Sequence, residues 1–218
     1  MPPPDLITLV NTNPRYAWFS EQGRKEATVL AELAGRHGKS LDSGLHALDF
    51  GCGCGRIARW IAPQVSSAGK LHGTDINPDL VAWCAANLLG QYRINRLKPP
   101  MPFADGEFDL LYAMSVLTHL KLETAEAWLD DFARVLRPGG LAIVSFHDED
   151  LAPTGLKPDE EARWVLNTQV MEGSNYMGAF TTRAAFADIC RRAFEVLEIV
   201  PSRPAEGHQA LAVLRKPQ

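Results

Sequence analysis

Three glycines in five residues, Gly51-Cys52-Gly53-Cys54-Gly55, stand where the apolar run Leu45 to Phe50 gives way to a segment of helical character. Glycine has no Cβ, so such a run lets the backbone turn sharply and approach a ligand closely. Twenty positions after Gly55, Asp75 closes a second strand-like run, Lys70 to Asp75. A carboxylate at a strand end can accept hydrogen bonds from both hydroxyls of a ribose. Taken alone, the loop reads equally as a tight turn and Asp75 as a surface or capping residue. In the order strand, glycine loop, helix, strand, acid, they read as a nucleoside site. The dinucleotide pattern G-x-G-x-x-G would need glycine where Arg56 stands, and no Lys-Ser or Lys-Thr pair follows to make a phosphate loop.

The elements that must position these residues follow from hydrophobic spacing. Ala27, Leu30, Ala31 and Ala34 share one face of a helix predicted over Ser20 to Ala34. Residues Arg56 to Ala62 read as a short helix that Pro63 stops. Asn77 caps, and Pro78 opens, a helix to about Leu88. Short strands are expected at Tyr92 to Asn95 and Phe108 to Met114. Ala125, Trp128, Leu129, Phe132 and Leu136 make the clearest amphipathic stripe in the chain, ended by Arg137-Pro138-Gly139-Gly140. Leu141 to Phe146 is apolar enough for a strand buried on both faces. The stretch from Asp148 to Phe180 reads as an irregular insertion with one helix around Glu160 to Leu166. Thr181 or Thr182 caps a helix reaching Ala193, and Phe194 to Val200 and Gln209 to Arg215 are closing strands. The Pro-rich first residues are expected to be loose, and residues 1–44 to form a cap on a domain spanning 45–218. Strand alternating with helix implies a mostly parallel sheet covered on both faces, with ligands bound past the carboxyl ends of its strands.

The totals narrow the class. A chain of 218 residues fits one α/β domain with small additions, able to bury about 70–75% of its unfolded surface. The net charge is −4, from 26 acidic and 22 basic residues with no block of either sign, which argues against general nucleic-acid binding. The four cysteines follow no secretory signal, and no run approaches the roughly 18 apolar residues of a membrane span. A reducing, cytoplasmic setting with free thiols is the expectation.

The segment Asp49 to Gly55 resembles motif I of the class I S-adenosylmethionine-dependent methyltransferases. Three further segments resemble that family in order. They are Thr74-Asp75-Ile76, the stretch from Pro102 to Asp109, and the turn from Phe132 to Gly140. Together they span about Leu45 to Phe146. The resemblance implies a Rossmann-like three-layer α/β sandwich with a seven-stranded, mostly parallel sheet whose last strand is antiparallel, and S-adenosylmethionine as cofactor. It implies that Asp49, Gly51, Cys52, Gly53 and Gly55 hold the methionine end, that Asp75 takes the ribose, and that Ile76 packs on the adenine. Asn95 to Leu97 would sit at the adenine edge. Met114 and Ser115 would line the face where the methyl is transferred.

Such chemistry needs a base only if the nucleophile must lose a proton early. His119 follows the fourth strand and is the first candidate; the alternative is a residue that orients its own loop or caps the next helix. His147 and Asp148 follow the fifth strand, and His208 precedes the last. Cys52 and Cys54 have no partners that complete a tetrahedral metal set, so no metal is expected. Trp164, Tyr176 and Phe180 either line a substrate pocket or fill a small core. Tyr16 to Phe19 either packs or closes as a lid. The favoured acceptor is a small molecule or glycan-type substrate. Met114-Ser115-Val116-Leu117 lacks the Asn/Asp-Pro-Pro-aromatic signature of amino-methylating nucleic-acid enzymes. A non-catalytic cofactor-binding module is the alternative, and a nicotinamide-dependent oxidoreductase is disfavoured by Arg56. The oligomeric state stays open.

Overall fold

Period-two alternation in the apolar runs decides the architecture. The computed structural model describes residues 1–11, 15–65, 70–154, 158–159, 163–168, 171–174 and 176–218. In chain order its elements are α1 (Pro4–Val10), α2 (Tyr16–Arg36), β1 (Ala47–Phe50), α3 (Ala58–Ile61), β2 (Leu71–Asp75) and α4 (Pro78–Asn87). Then come β3 (Gln91–Ile94), β4 (Phe108–Ala113), α5 (Leu122–Val135), β5 (Leu136–Phe146) and the short β6 (Val165–Leu166) and β7 (Ala179–Phe180). The chain closes with α6 (Arg183–Cys190), β8 (Glu195–Val200) and β9 (Ala210–Arg215).

Seven strands form one sheet in the order β3-β2-β1-β4-β5-β9-β8, with β6 and β7 a separate hairpin. Neighbours from β3 to β5 pair in parallel, whereas β9 pairs antiparallel with both β5 and β8. Leu48 and Phe50, Leu111 and Ala113, and Ala142, Val144 and Phe146 face Trp128, Leu129 and Phe132 of α5 and Phe186 and Ile189 of α6. The alternate residues Ala47, Leu110, Tyr112, Leu141 and Ile143 face Ala27, Leu30 and Leu33 of α2 and Ala58 and Ile61 of α3. Each of these aromatic and aliphatic side chains, fully removed from water, stabilises the fold by about 1.5–3 kcal/mol. Caps mark the helix starts as the sequence suggests. The Asn77 side chain accepts from the Asp79 and Leu80 amides, and Thr182 from that of Ala185.

Three expectations are corrected. The Pro-rich start is not loose: α1 docks because Ile7, fully buried, packs with Phe19, Cys54 and Leu80. The helix expected over Glu160 to Leu166 is not formed where the chain is described: residues 160–162 lie outside the described set, and Val165–Leu166 pairs with Ala179–Phe180 as a strand. Strand pairing outweighs the local helical pattern there. The turn at Arg137 to Gly140 does not precede β5 but lies inside it, as an irregularity where pairing with β4 slips between Phe108 and Leu110 and Gly139 takes a φ of 73°.

The docking of α1 depends on one side chain. Ile7→Ala should weaken that docking by about 2–4 kcal/mol. Hydrogen exchange should then show faster exchange over Pro4–Val10 with protection of the central strands unchanged.

Candidate functional site

The strand order reverses between β1 and β4, and a crevice opens there at their carboxyl ends. A cleft of about 700 Å³ occupies it. Its floor is the glycine loop. Gly51, Gly53 and Gly55 have φ of 76°, 53° and 73°, in the left-handed region. At Gly51 a Cβ would also lie 2.2 Å from Val116, so no other residue fits the turn. The loop is pinned to β2, because the Gly51 and Cys52 amides both donate to the Thr74 carbonyl at 2.8 and 2.9 Å. Gly55 does not line the cleft. It faces α4, where a Cβ would strike Leu88 and Cys84.

Two carboxylates stand at the strand ends. Asp75 Oδ2 accepts from the Gly53 amide and Oδ1 from the Asn77 amide, both at 2.9 Å, and burial raises its pKa despite these bonds. Asp49 is 3% exposed and its Oδ2 has no hydrogen-bond partner. Burial pushes its pKa up to about 8, and Asp75 adds repulsion. Tyr112, its register partner on β4, draws it back down without closing a well-formed hydrogen bond. Asn95, also buried on the cleft wall, presents an Oδ1 without a partner. Ile76 is exposed at the rim, and Cys52, Met114 and Ser115 complete the predicted set on the wall.

The two histidines part ways. His119 lines the cleft. Its Nδ1–H donates to the Met177 carbonyl at 2.6 Å, which leaves Nε2 as the lone-pair nitrogen. Burial lowers its pKa, which favours the neutral ring. His147 lies behind the wall, not on it. It stacks on Phe180, its Nδ1–H donates to the Ala179 carbonyl, and Gln209 donates to its Nε2. Burial, then repulsion from His119, pushes its pKa down to about 4. His208 lines a side cavity of about 160 Å³ that shares Met114, Ser115 and Gln209 with the main cleft. Asp148 is fully buried and ties Ser202 to Arg183. Trp164 donates to the Leu120 carbonyl and stacks near Phe186, so it fills core; Tyr176, 76% exposed, is at the cleft edge. Tyr16 to Phe19 is the first turn of α2, with Phe19 in the core.

Sequence reasoning missed three contributors. Thr8 to Asn11, at the end of α1, form one rim. Gly173 and Ser174 form another, because the Gly173 amide donates to the His119 carbonyl. Gln209 stands beside His147 because Phe146 pairs with Ala210 across β5 and β9. A polar residue opening a strand was the only local signal for it. Among the described residues, no group of three or more His, Cys, Asp or Glu is arranged to hold a metal ion, and no helix is long and apolar enough to cross a membrane.

Residues 47–140 match the family model described as a methyltransferase domain. The chain is 31% identical over 137 residues to the O-methyltransferase resE of Aspergillus sclerotiorum, covering 56% of this chain and 46% of that one. It is 28% identical over 153 residues to the 2-phytyl-1,4-naphtoquinone methyltransferase of Nostoc punctiforme, covering 62% and 60%. The chain thus spans about half the length of the curated relatives it matches. A Burkholderia thailandensis 1,6-didemethyltoxoflavin-N1-methyltransferase, solved with its acceptor and S-adenosylhomocysteine, shares the fold at a TM-score of 0.68 and 18% identity over 98% of this chain and 86% of that one. Residues 47–140 thus match a methyltransferase domain, and the chain has the fold of a methyltransferase solved with S-adenosylhomocysteine.

The protonation of Asp49 has a measurable consequence. A carboxyl whose folded pKa is about 8, against 3.8 unfolded, favours the folded state below pH 4, and that contribution is lost as pH rises toward 8. Without ligand, urea unfolding at pH 5 and pH 8 should show wild-type stability falling more steeply than that of Asp49→Asn, by a few kcal/mol at most.

Proposed function

We propose that this protein transfers the methyl group of S-adenosylmethionine to a small organic acceptor. The observation that carries this reading is the buried Asp49 carboxyl, whose Oδ2 has no hydrogen-bond partner, beside the Asp75 carboxylate on the walls of one cleft above a pinned glycine loop. These residues fit the cofactor. The partnerless Asp49 oxygen suits an ammonium, whose charge would also return the carboxyl to its ionised form. Asp75 keeps free lone pairs on both oxygens for ribose hydroxyls, and the Asn95 Oδ1 suits an exocyclic amine. Ile76 offers an apolar edge for a base, and Met114 and Ser115 face the reacting end.

When bound, the cofactor supplies an already activated methyl on a positively charged sulfur. The chain's own task is to orient a nucleophile in line with that methyl, keep water out and receive a proton. His119 suits the last task, because burial favours the neutral ring and Met177 holds it in the tautomer with Nε2 free to accept. The rims built from Thr8 to Asn11 and from Gly173, Ser174 and Tyr176 suit water exclusion. A small acceptor is supported by relatives named for a naphtoquinone and for didemethyltoxoflavin. Glycan-type acceptors of similar size belong to the same reading.

Calorimetric titration with S-adenosylmethionine, S-adenosylhomocysteine and NADH tests the cofactor; binding of NADH alone would overturn the proposal. Asp75→Ala should weaken S-adenosylhomocysteine binding by about 1.5–3 kcal/mol, roughly ten- to a hundredfold. With an acceptor in hand, His119→Asn should lower kcat by about 10²–10⁴. The wild-type rate should decline only below the ordinary histidine pKa of about 6.5, since burial lowers that of His119 and the base stays unprotonated above it. A variant that keeps both rate and acid limb removes His119 from the mechanism.

A further inference from the structure

A chain of hydrogen bonds lies behind Ser115, and both of its ends are groups that cannot reverse. At one end the Ala179 carbonyl only accepts, so His147 carries its hydrogen on Nδ1, at 3.2 Å. The neutral ring then has its lone pair on Nε2, and the Gln209 amide nitrogen must donate to it, at 3.1 Å. At the other end the Ser115 amide only donates, to Ser145 Oγ at 2.7 Å. The fully buried Ser145 hydroxyl directs its own proton to Gln209 Oε1 at 2.6 Å. The histidine end therefore sets the Gln209 amide with its oxygen toward the two serines, where the buried Ser145 hydroxyl proton finds its acceptor. That oxygen accepts, so Ser115 Oγ–H donates to it at 3.1 Å.

The single hydroxyl proton of Ser115 is thus turned into the protein, and its oxygen offers only lone pairs elsewhere. The backbone of Ser115 is held at a φ of 58°, a left-handed conformation that serine seldom adopts and that its surroundings must stabilise. Ser115 lies on the wall of both the main cleft and the side cavity that runs to Trp18, Gln22 and Glu26 of α2. It is therefore where an acceptor meets the transfer face.

Resting on the methyl-transfer reading above, we propose that Gln209 is a positioning residue that fixes Ser115 as a hydrogen-bond acceptor for the substrate's own O–H or N–H. The substrate class is then a hydroxyl or amine that carries hydrogen on its reacting atom. Sulfides, tertiary amines and carbon nucleophiles offer Ser115 nothing. In the reaction the nucleophile's lone pair takes the methyl, and its proton leaves to His119 Nε2 or to water. The electron pair of the broken carbon–sulfur bond stays on sulfur. Ser115 holds the O–H or N–H before transfer and so aims the lone pair at the methyl.

The test combines histidine ¹⁵N spectra of the intact protein with an acceptor panel read by S-adenosylhomocysteine release. The spectra should show His147 protonated on Nδ1. Gln209→Glu keeps an oxygen for both serines but turns its second oxygen on His147, which should become protonated on both nitrogens; Gln209→Leu should leave it neutral. The panel pairs phenols and primary arylamines with aryl sulfides and tertiary amines. Release is expected with the first two only. It should fall at least tenfold in kcat for Ser115→Ala and Gln209→Leu, recover in part for Gln209→Glu, and leave S-adenosylhomocysteine affinity unchanged. An Nε2-protonated His147 in the wild type overturns the proposal. So does release with sulfides or tertiary amines, or Ser115→Ala at the wild-type rate. Failure of the wild type to bind S-adenosylhomocysteine overturns the parent reading instead, and the His147 spectrum still decides the direction of the network.

Discussion

The Thr74 carbonyl accepts two consecutive amides, those of Gly51 and Cys52, and the site is organised around that pin. It draws the turn after β1 against the end of β2 and consumes the loop's first two donors. The third, on Gly53, is left facing Asp75. The turn closes only with a left-handed residue at position 51, where Val116 leaves no room for a side chain. Two carboxyls are thereby brought to the ends of adjacent strands with little water between them. Each has its pKa raised by burial, and Asp75 adds to the shift of Asp49. Such an arrangement is electrostatically unfavourable on its own and is relieved by a ligand that carries positive charge and hydrogen-bond donors.

Above this floor the cleft is roofed by segments that belong to no sheet layer. The end of α1 reaches it because Ile7 anchors the helix in a small core with Phe19 and Leu80. The stretch around Gly173 is fastened to the loop after β4. Its amide donates to the His119 carbonyl, the Met177 carbonyl accepts from the His119 ring, and Glu172 accepts from the Lys121 amide. These bonds tie the ring of His119 to the position of the roof, so the candidate base and the segment above the cleft are held together. Irregular segments of this kind, carried on a rigid scaffold, are where specificity varies within a fold.

The match to the methyltransferase domain covers the glycine loop and the cleft wall after β4 but not all of the cleft's rim. The matching domain spans residues 47–140, which includes the glycine loop, Asp75, Met114, Ser115 and His119. It leaves out α1, the hairpin of β6 and β7, and Gln209. Beyond that domain, His147, Ser145 and Gln209 form a part-buried polar relay anchored at the Ala179 carbonyl. Networks of this kind hold side chains in one arrangement, since any reversal leaves a buried group unpaired.

Local chemistry determined much of this protein. The apolar runs Leu45 to Phe50 and Leu141 to Phe146 specified strands, the stripe of Trp128, Leu129 and Phe132 specified a helix, and Asn77 with Pro78 marked where another begins. The glycine spacing and Asp75 pointed to a nucleoside site, because turn geometry and strand-end chemistry act over a few residues. What depended on distant partners was not legible. Whether Pro4–Val10 orders rests on a cavity built by Phe19, Cys54 and Leu80, and whether Val165–Leu166 is a strand rests on Ala179–Phe180. The opposite settings of His119 and His147, two histidines each following a strand, were decided by which carbonyl and which neighbour each ring met. Gln209 entered the site only because β9 inserts antiparallel beside β5, which brings residues 62 and 64 positions apart into hydrogen-bond contact. A sequence carries its local preferences openly, whereas contacts across such separations exist only once the sheet order is set.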